Sequence, residues 1–243
     1  DGLRRMIGEQ ENVFYYITCM NENYVHPPMP SGVKDDILRG MYQLQAGGKG
    51  KVRVQLMGSG TILREVIGAA ELLMQDFGIP SDIWSVTSFN ELRREALAAE
   101  RWNQLHPETE PRQSYLELAL AHREGPYIAA TDYMKIVPDQ IQRWMPGTYV
   151  TLGTDGYGRS DSREALRRFF EVDRRYIVVT ALKALAAALA PRRLPGAALC
   201  CGRRAPPRSA AASARWPSVR GRGSEGGGWS RELVGTGMDS TWT

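Results

Sequence analysis

Cysteine is scarce in this chain. There are three in 243 residues, Cys19, Cys200 and Cys201, and neither a disulfide framework nor zinc-ligand spacing can be drawn from them. Long apolar runs are missing too. No stretch approaches the roughly twenty apolar residues needed to span a bilayer, and the opening DGLRRMIGEQEN is polar, without the apolar core of a secretory signal. These absences lead to a cytoplasmic expectation with no membrane partner. Histidine is also sparse. His26, His106 and His122 each sit beside prolines or on a polar helix end, and no Ser or Cys nucleophile is presented on an elbow near them.

The net charge of +4 is unevenly distributed. Residues 1–190 hold 22 Lys and Arg against 24 Asp and Glu, whereas residues 191–243 hold nine Arg against three acids. The basic excess belongs to the tail, so it does not argue for a basic groove on the globular part. In that tail Gly, Ala, Pro and Arg supply 30 of 53 residues, with no Lys and no apolar periodicity. Such a composition cannot offset its ordering entropy and predicts disorder. Arg, Gly, Ala and Pro are also the residues of GC-rich codons, so a shifted reading frame after about residue 190 is a second expectation.

The remainder alternates strands and helices. Val13–Met20 (VFYYITCM), Val52–Met57, Ile83–Thr87, Tyr127–Thr131 and Tyr149–Leu152 read as strands. Helices are expected over Asp35–Leu44, Thr61–Phe77, Asn90–Gln104, Tyr115–Ala121, Asp161–Phe170 and Ile177–Leu189, with a helical turn or two at Pro138–Trp144. HPPMPSG, residues 26–32, holds an extended path and reads as a domain linker. Alternation of this kind predicts a largely parallel sheet covered on both faces, with ligands or partners at the carboxyl ends of its strands.

Two loops lie at such ends. Gly58-Ser59-Gly60 could cradle a phosphate on the following helix, but it lacks the dinucleotide fingerprint and the Lys of a P-loop, and it reads as a tight turn. The most individual stretch is Gly153–Asp173, GTDGYGRSDSREALRRFFEVD. Asp155-Gly156 and Gly158 are turn chemistry, and Ser160 or Asp161 can cap the helix, with Glu164 near its third position. Asp155-Gly156 invites comparison with the magnesium-diphosphate motif of thiamine enzymes. It fails, because Thr154 precedes Asp155 and no Asn occurs after Asn103. Asp132-Tyr133 could contact a ligand but reads as a helix cap. Glu100-Arg101-Trp102-Asn103 pairs Trp with Arg as interface anchors do, and a core Trp beside a surface Arg explains it equally. The residues alone offer no catalytic, cofactor-binding or metal-binding set.

Several long stretches occur in one order: ENVFYYIT (11–18), NENY (21–24), PPMP (27–30), GSGTILRE (58–65), SVTSFNEL (85–92), ERWNQLHP (100–107), ATDYMK (130–135), GTDGYGRSDSRE and FFEVD (153–173). Through them the chain from Gly2 to about Leu185 resembles the C-terminal part of the homodimeric-type bacterial pyruvate dehydrogenase component. The resemblance implies an α/β fold: a three-layer α/β/α domain with a mixed, mostly parallel five-stranded sheet, as in the transketolase C-terminal domain. It implies that 1–30 ends a middle, pyrimidine-binding domain and that 48–190 is the C-terminal domain, with 31–47 between them as a linker and short helix; 191–243 does not match the helical sequence with which the family ends and stays the disordered or frame-shifted tail read from its composition. It further implies that the full-length protein uses thiamine diphosphate and Mg²⁺, held upstream of this chain, to decarboxylate pyruvate and pass the acetyl group to the lipoyl group of the dihydrolipoyl acetyltransferase component. The partners implied are the chain's own N-terminal and middle domains and a second subunit. This chain is expected to be a fragment that binds neither cofactor alone.

Two other readings compete. One is the third domain of another 2-oxo acid dehydrogenase or of a transketolase. The other is an interaction module whose Arg-rich tail binds nucleic acid. The second predicts salt-dependent binding of DNA or RNA that disappears when 191–243 is removed. Filter binding at two salt concentrations, with and without the tail, is expected to show no such tail-dependent affinity.

Overall fold

The computed structural model describes residues 1–20, 23–50 and 52–189. The tail expected to be disordered or frame-shifted, with Cys200 and Cys201, lies outside the described residues. Seven α-helices and five strands follow one another along the described residues. They are α1 (Lys34–Arg39), β1 (Met41–Gln45), β2 (Val54–Gly58), α2 (Leu63–Phe77), β3 (Ser81–Val86), α3 (Phe89–Leu105), α4 (Tyr115–Leu120), β4 (Tyr127–Ala130), α5 (Ile136–Asp139), β5 (Tyr149–Leu152), α6 (Arg163–Phe169) and α7 (Arg174–Leu189).

The strands form one sheet in the order β1-β3-β2-β4-β5. β2 pairs in parallel with both β3 and β4, β4 pairs in parallel with β5, and β1 alone runs antiparallel, against β3. The fold is therefore the mixed, mostly parallel five-stranded sheet that the resemblance implies. Side chains alternate between its faces. Val54, Leu56, Ile83, Ile128 and Ala130 pack under α2 and α7. Met57, Trp84, Val86, Tyr127 and Ala129 pack under α3, α4 and the turn that carries Ile141 and Trp144. Two cores separated by one sheet make the three layers.

A buried polar network crosses the amino ends of the central strands. Asp82 is fully buried. It accepts from the Gly47 N–H at 2.7 Å, from Gln55 Nε2 at 2.9 Å and from Arg53 at 3.2 Å. Gln55 in turn accepts from the Trp84 indole at 2.9 Å. Every member is satisfied, which a buried polar group in a sheet requires. The glycine loop after β1 is thereby tied to the sheet.

Two expectations need correction. Val13–Met20 is not a strand, for residues 11–20 carry no regular secondary structure. Phe14, Tyr16 and Ile17 stand 85%, 87% and 75% exposed. A strand exists only when its backbone groups find a ladder, and none of the five strands here offers this segment one. The helix expected over Asp35–Leu44 is also too long. It ends at Arg39, where Gly40 turns left-handed at φ 109° and donates to the Asp36 and Ile37 carbonyls. The second half, MYQLQ, becomes the edge strand β1. The sheet thus has five strands, and its edge strand β1 comes from residues expected to be helix and linker.

Gly40 allows no side chain. An added Cβ would lie 2.6 Å from the Ser88 carbonyl oxygen, in a region that residues with side chains rarely occupy. Gly40→Ala is expected to cost about 1–3 kcal/mol in urea unfolding. An unchanged midpoint would mean that the helix-to-strand turn is not held as described.

Candidate functional site

The carboxyl ends of β2, β4 and β5 form one edge of the sheet. From β2 the chain goes to β3 on one side and later comes back to β4 on the other, so the crevice between the β2 and β4 ends is a topological switch point. Ser59 and Thr131 meet across it, with their hydroxyl oxygens 2.7 Å apart and both residues buried. Gly58 is needed there because a Cβ would come within 2.8 Å of the Leu63 Cα. Gly60 adopts φ 54°, and the chain then turns through Gly60–Ile62 into α2. Gly58-Ser59-Gly60 is thus a tight turn, as expected.

The Gly153 loop is built differently from the expectation. Asp155 accepts from the Lys135 backbone N–H at 2.9 Å, so it ties the β5 loop to the β4 loop rather than closing its own turn. Thr154 donates its hydroxyl to the Asp132 carbonyl at 2.7 Å and its N–H to the Tyr133 carbonyl at 2.9 Å. A Cβ on Gly153 would lie 2.6 Å from the Tyr133 oxygen, which explains the glycine. Gly156 has φ 104°, whereas Gly158 is not in the positive-φ region. The helix cap is Ser162, whose hydroxyl accepts from the Ala165 N–H. It is neither Ser160 nor Asp161, because a cap accepts from the second or third helical residue and the helix begins at Arg163.

Between these loops, the first turn of the α2 segment and α6 lies a cleft of about 280 Å³. Met20 contributes to one wall, Ile62, Leu166, Phe170 and Val172 make it apolar, and Arg159, Arg163 and Arg167 line it with Asp132. Burial pushes the Asp132 carboxyl above its ordinary range. Asp132 starts no helix, so the cap expected of it is replaced by a place in this wall.

Glu65, in the first turn of α2, fixes the far wall. It is buried, and its carboxylate meets Arg174 Nε at 2.9 Å, the Arg174 N–H at 3.2 Å and Arg167 at 3.2 Å. Burial pushes its pKa up, but the Arg174 hydrogen bonds and charge outweigh that and hold it below the usual value. No sequence signal was read for this tie. An acid in the first turn of a helix ordinarily faces water, and its partners lie about a hundred residues away in the chain.

The other candidates are structural ties. Trp102 is half-buried between the Arg112 guanidinium, 3.7 Å from its ring centre, and the His106 ring at 4.4 Å. Asn103 clamps Arg112, accepting from its N–H at 2.7 Å and donating to its carbonyl at 2.9 Å. Glu100 accepts from the Trp144 indole at 2.9 Å. His26 and His122 are exposed and stand apart from these groups. Asp155 does not fit a magnesium-diphosphate site, since its carboxylate faces the Lys135 N–H and ammonium. Among the described residues no three His, Cys, Asp or Glu cluster as metal ligands, and no helix is long and apolar enough to cross a membrane.

The comparisons with known proteins agree with this fold. The family described as the transketolase-like TK C-terminal domain matches residues 40–173, and the pyruvate dehydrogenase E1 component middle domain matches residues 1–27. Pyruvate dehydrogenase E1 components are 60% identical over 188 residues in Pseudomonas aeruginosa, 56% over 188 in Cupriavidus necator and 54% over 190 in Escherichia coli. Each alignment covers 76% of this chain and 21% of the relative, so the chain spans about a fifth of their length. A solved transketolase from Campylobacter jejuni superposes loosely, with a TM-score of 0.44 at 14% identity over 65% of this chain and 20% of that one.

The depressed Glu65 pKa has a pH consequence. It contributes stability above the ordinary glutamate value of 4.5, and that stability is lost as pH falls through the lower, folded-state value. Glu65→Gln is expected to cost about 1.5–3 kcal/mol at pH 7, the range for hydrogen bonds to charged groups, and much less at pH 3. Urea unfolding at both pH values measures this, and an equal cost at both contradicts it. The chain belongs to the transketolase-like C-terminal domain family, and its homologues are pyruvate dehydrogenase E1 components.

Proposed function

We propose that this chain is the C-terminal portion of a thiamine-diphosphate-dependent pyruvate dehydrogenase component, and that its role is domain packing and dimer support rather than chemistry. The observation that supports this reading is continuity. The end of the middle domain and the C-terminal domain follow one another in family order, at 54–60% identity to three such components. Residues 1–30 are read as the end of the middle domain, 31–47 as the linker with its short helix and the edge strand β1 that it delivers to the sheet, and 48–190 as the rest of the C-terminal domain. Thiamine diphosphate and Mg²⁺ belong to the domains that precede this chain in the full-length protein. There pyruvate loses CO₂, and the acetyl group passes to a lipoyl group of the acetyltransferase component. The working compartment is the cytoplasm, and the second subunit of a homodimer is the nearest partner.

Two measurements test the reading. The 243-residue chain, given thiamine diphosphate, Mg²⁺, pyruvate and an artificial electron acceptor, is expected to show no turnover. Measurable decarboxylation would sink the assignment of chemistry to the preceding domains. In the full-length protein, deleting the C-terminal domain is expected to shift the mass toward monomer on dilution. A dimer of unchanged stability contradicts the supporting role.

A further inference from the structure

The cleft at the carboxyl end of the sheet has features that packing does not require. Ser59 precedes the first turn of the α2 segment with extended backbone, the conformation of a helix cap, yet its hydroxyl is turned to Thr131. No side chain caps that turn or the start of α2, and the Asp132 carboxylate lies 3.4 Å from where a Cβ on Gly60 would stand. Thr61 and Ile62 of that turn line the cleft directly.

The opposite wall is cationic and apolar together. Arg159 lies with its guanidinium 4.0 Å from the centre of the Phe169 ring, a cation–π contact, and lines the cleft. Arg167 contributes one contact to Glu65 at 3.2 Å and also lines the cleft. Leu166 on α6 and Phe170, the residue that caps its carboxyl end, line the same space. Asp132 is the single carboxylate in the described lining. The volume, about 280 Å³, is close to the low end of small-molecule sites, which begin at about 300 Å³.

The remaining wall comes from the start of the chain. Met20 lines the cleft, Thr18 and Tyr133 share a hydroxyl hydrogen bond, and the Tyr24 ring lies 4.5 Å under the Arg64 guanidinium. Thr18 and Met20, inside the middle-domain match over residues 1–27, therefore lie beside the cleft.

We propose that this cleft binds a small organic anion, with a phosphate or carboxylate head between Arg159 and Arg167 and an apolar body against Ile62, Leu166 and Phe170. Guanidinium groups are donors that such heads take. An occupant would touch Met20 as well, so binding is linked to the position of that side chain.

Isothermal titration of the 243-residue chain tests this with four probes: phenyl phosphate, benzoate, phenol and inorganic phosphate. Saturable one-site binding is expected for phenyl phosphate, benzoate or both, and whichever binds identifies the head. Phenol and inorganic phosphate, each lacking one half of the ligand, are expected to bind at least about tenfold more weakly. Arg159→Gln is expected to weaken binding about tenfold. Asp132→Asn is expected to tighten it, because it removes the one negative charge facing the head. Equal melting temperatures for the wild type and Arg159→Gln keep folding out of the comparison. The proposal is overturned if neither anion saturates, if phenol binds as well as they do, or if both variants leave the affinity unchanged.

Discussion

Glu65 is the residue on which the rest of this arrangement depends. One buried carboxylate holds α2 to the Arg167 of α6 and to both backbone and side chain of Arg174 at the start of α7. Those contacts set where the last two helices lie against the sheet. α7 then buries Ile177, Val178, Ala181 and Leu185 on the face made by Val54, Leu56 and Ile128. A buried acid with unmet partners would be strongly destabilising; met by two arginines and an N–H, it fixes position instead. The Gly68 backbone supports the same contact, for its missing Cβ leaves the room that the Arg174 guanidinium occupies.

The same tie shapes the carboxyl edge. Arg167 reaches Glu65 on one side and the cleft on the other. The β4 and β5 loops are held together by Asp155 and Thr154. That edge therefore combines two joined loops with a packed helix. The middle-domain segment reaches that edge through Thr18, Met20 and Tyr24.

Much of the fold was legible in the sequence because parallel strands and their helices repeat in simple periods. Ile83–Thr87 and Tyr127–Thr131 lie within two residues of β3 and β4. Two errors share one cause: the sequence shows which residues favour a strand, and not which ladder receives it. VFYYITCM has the composition of a strand and has no neighbour here, whereas MYQLQ, a weaker signal, pairs with β3. Gly40 was the available clue, a stop in mid-helix. The candidate site was less legible. Asp155, Asp132 and the two glycine loops were identified, but their mutual tie was not. Glu65, Asp82 and Gln55 act through partners that the chain brings from far away, so spacing along the sequence carried no trace of them.

The sheet of five strands is complete without residues 13–20, which pair with none of them. Native-state hydrogen exchange on the 243-residue chain tests it most directly. Strong protection is expected for β2, β3 and β4, with little or none for residues 13–20, since exposed backbone without a ladder exchanges freely. Protection of residues 13–20 equal to that of the central strands would contradict the account.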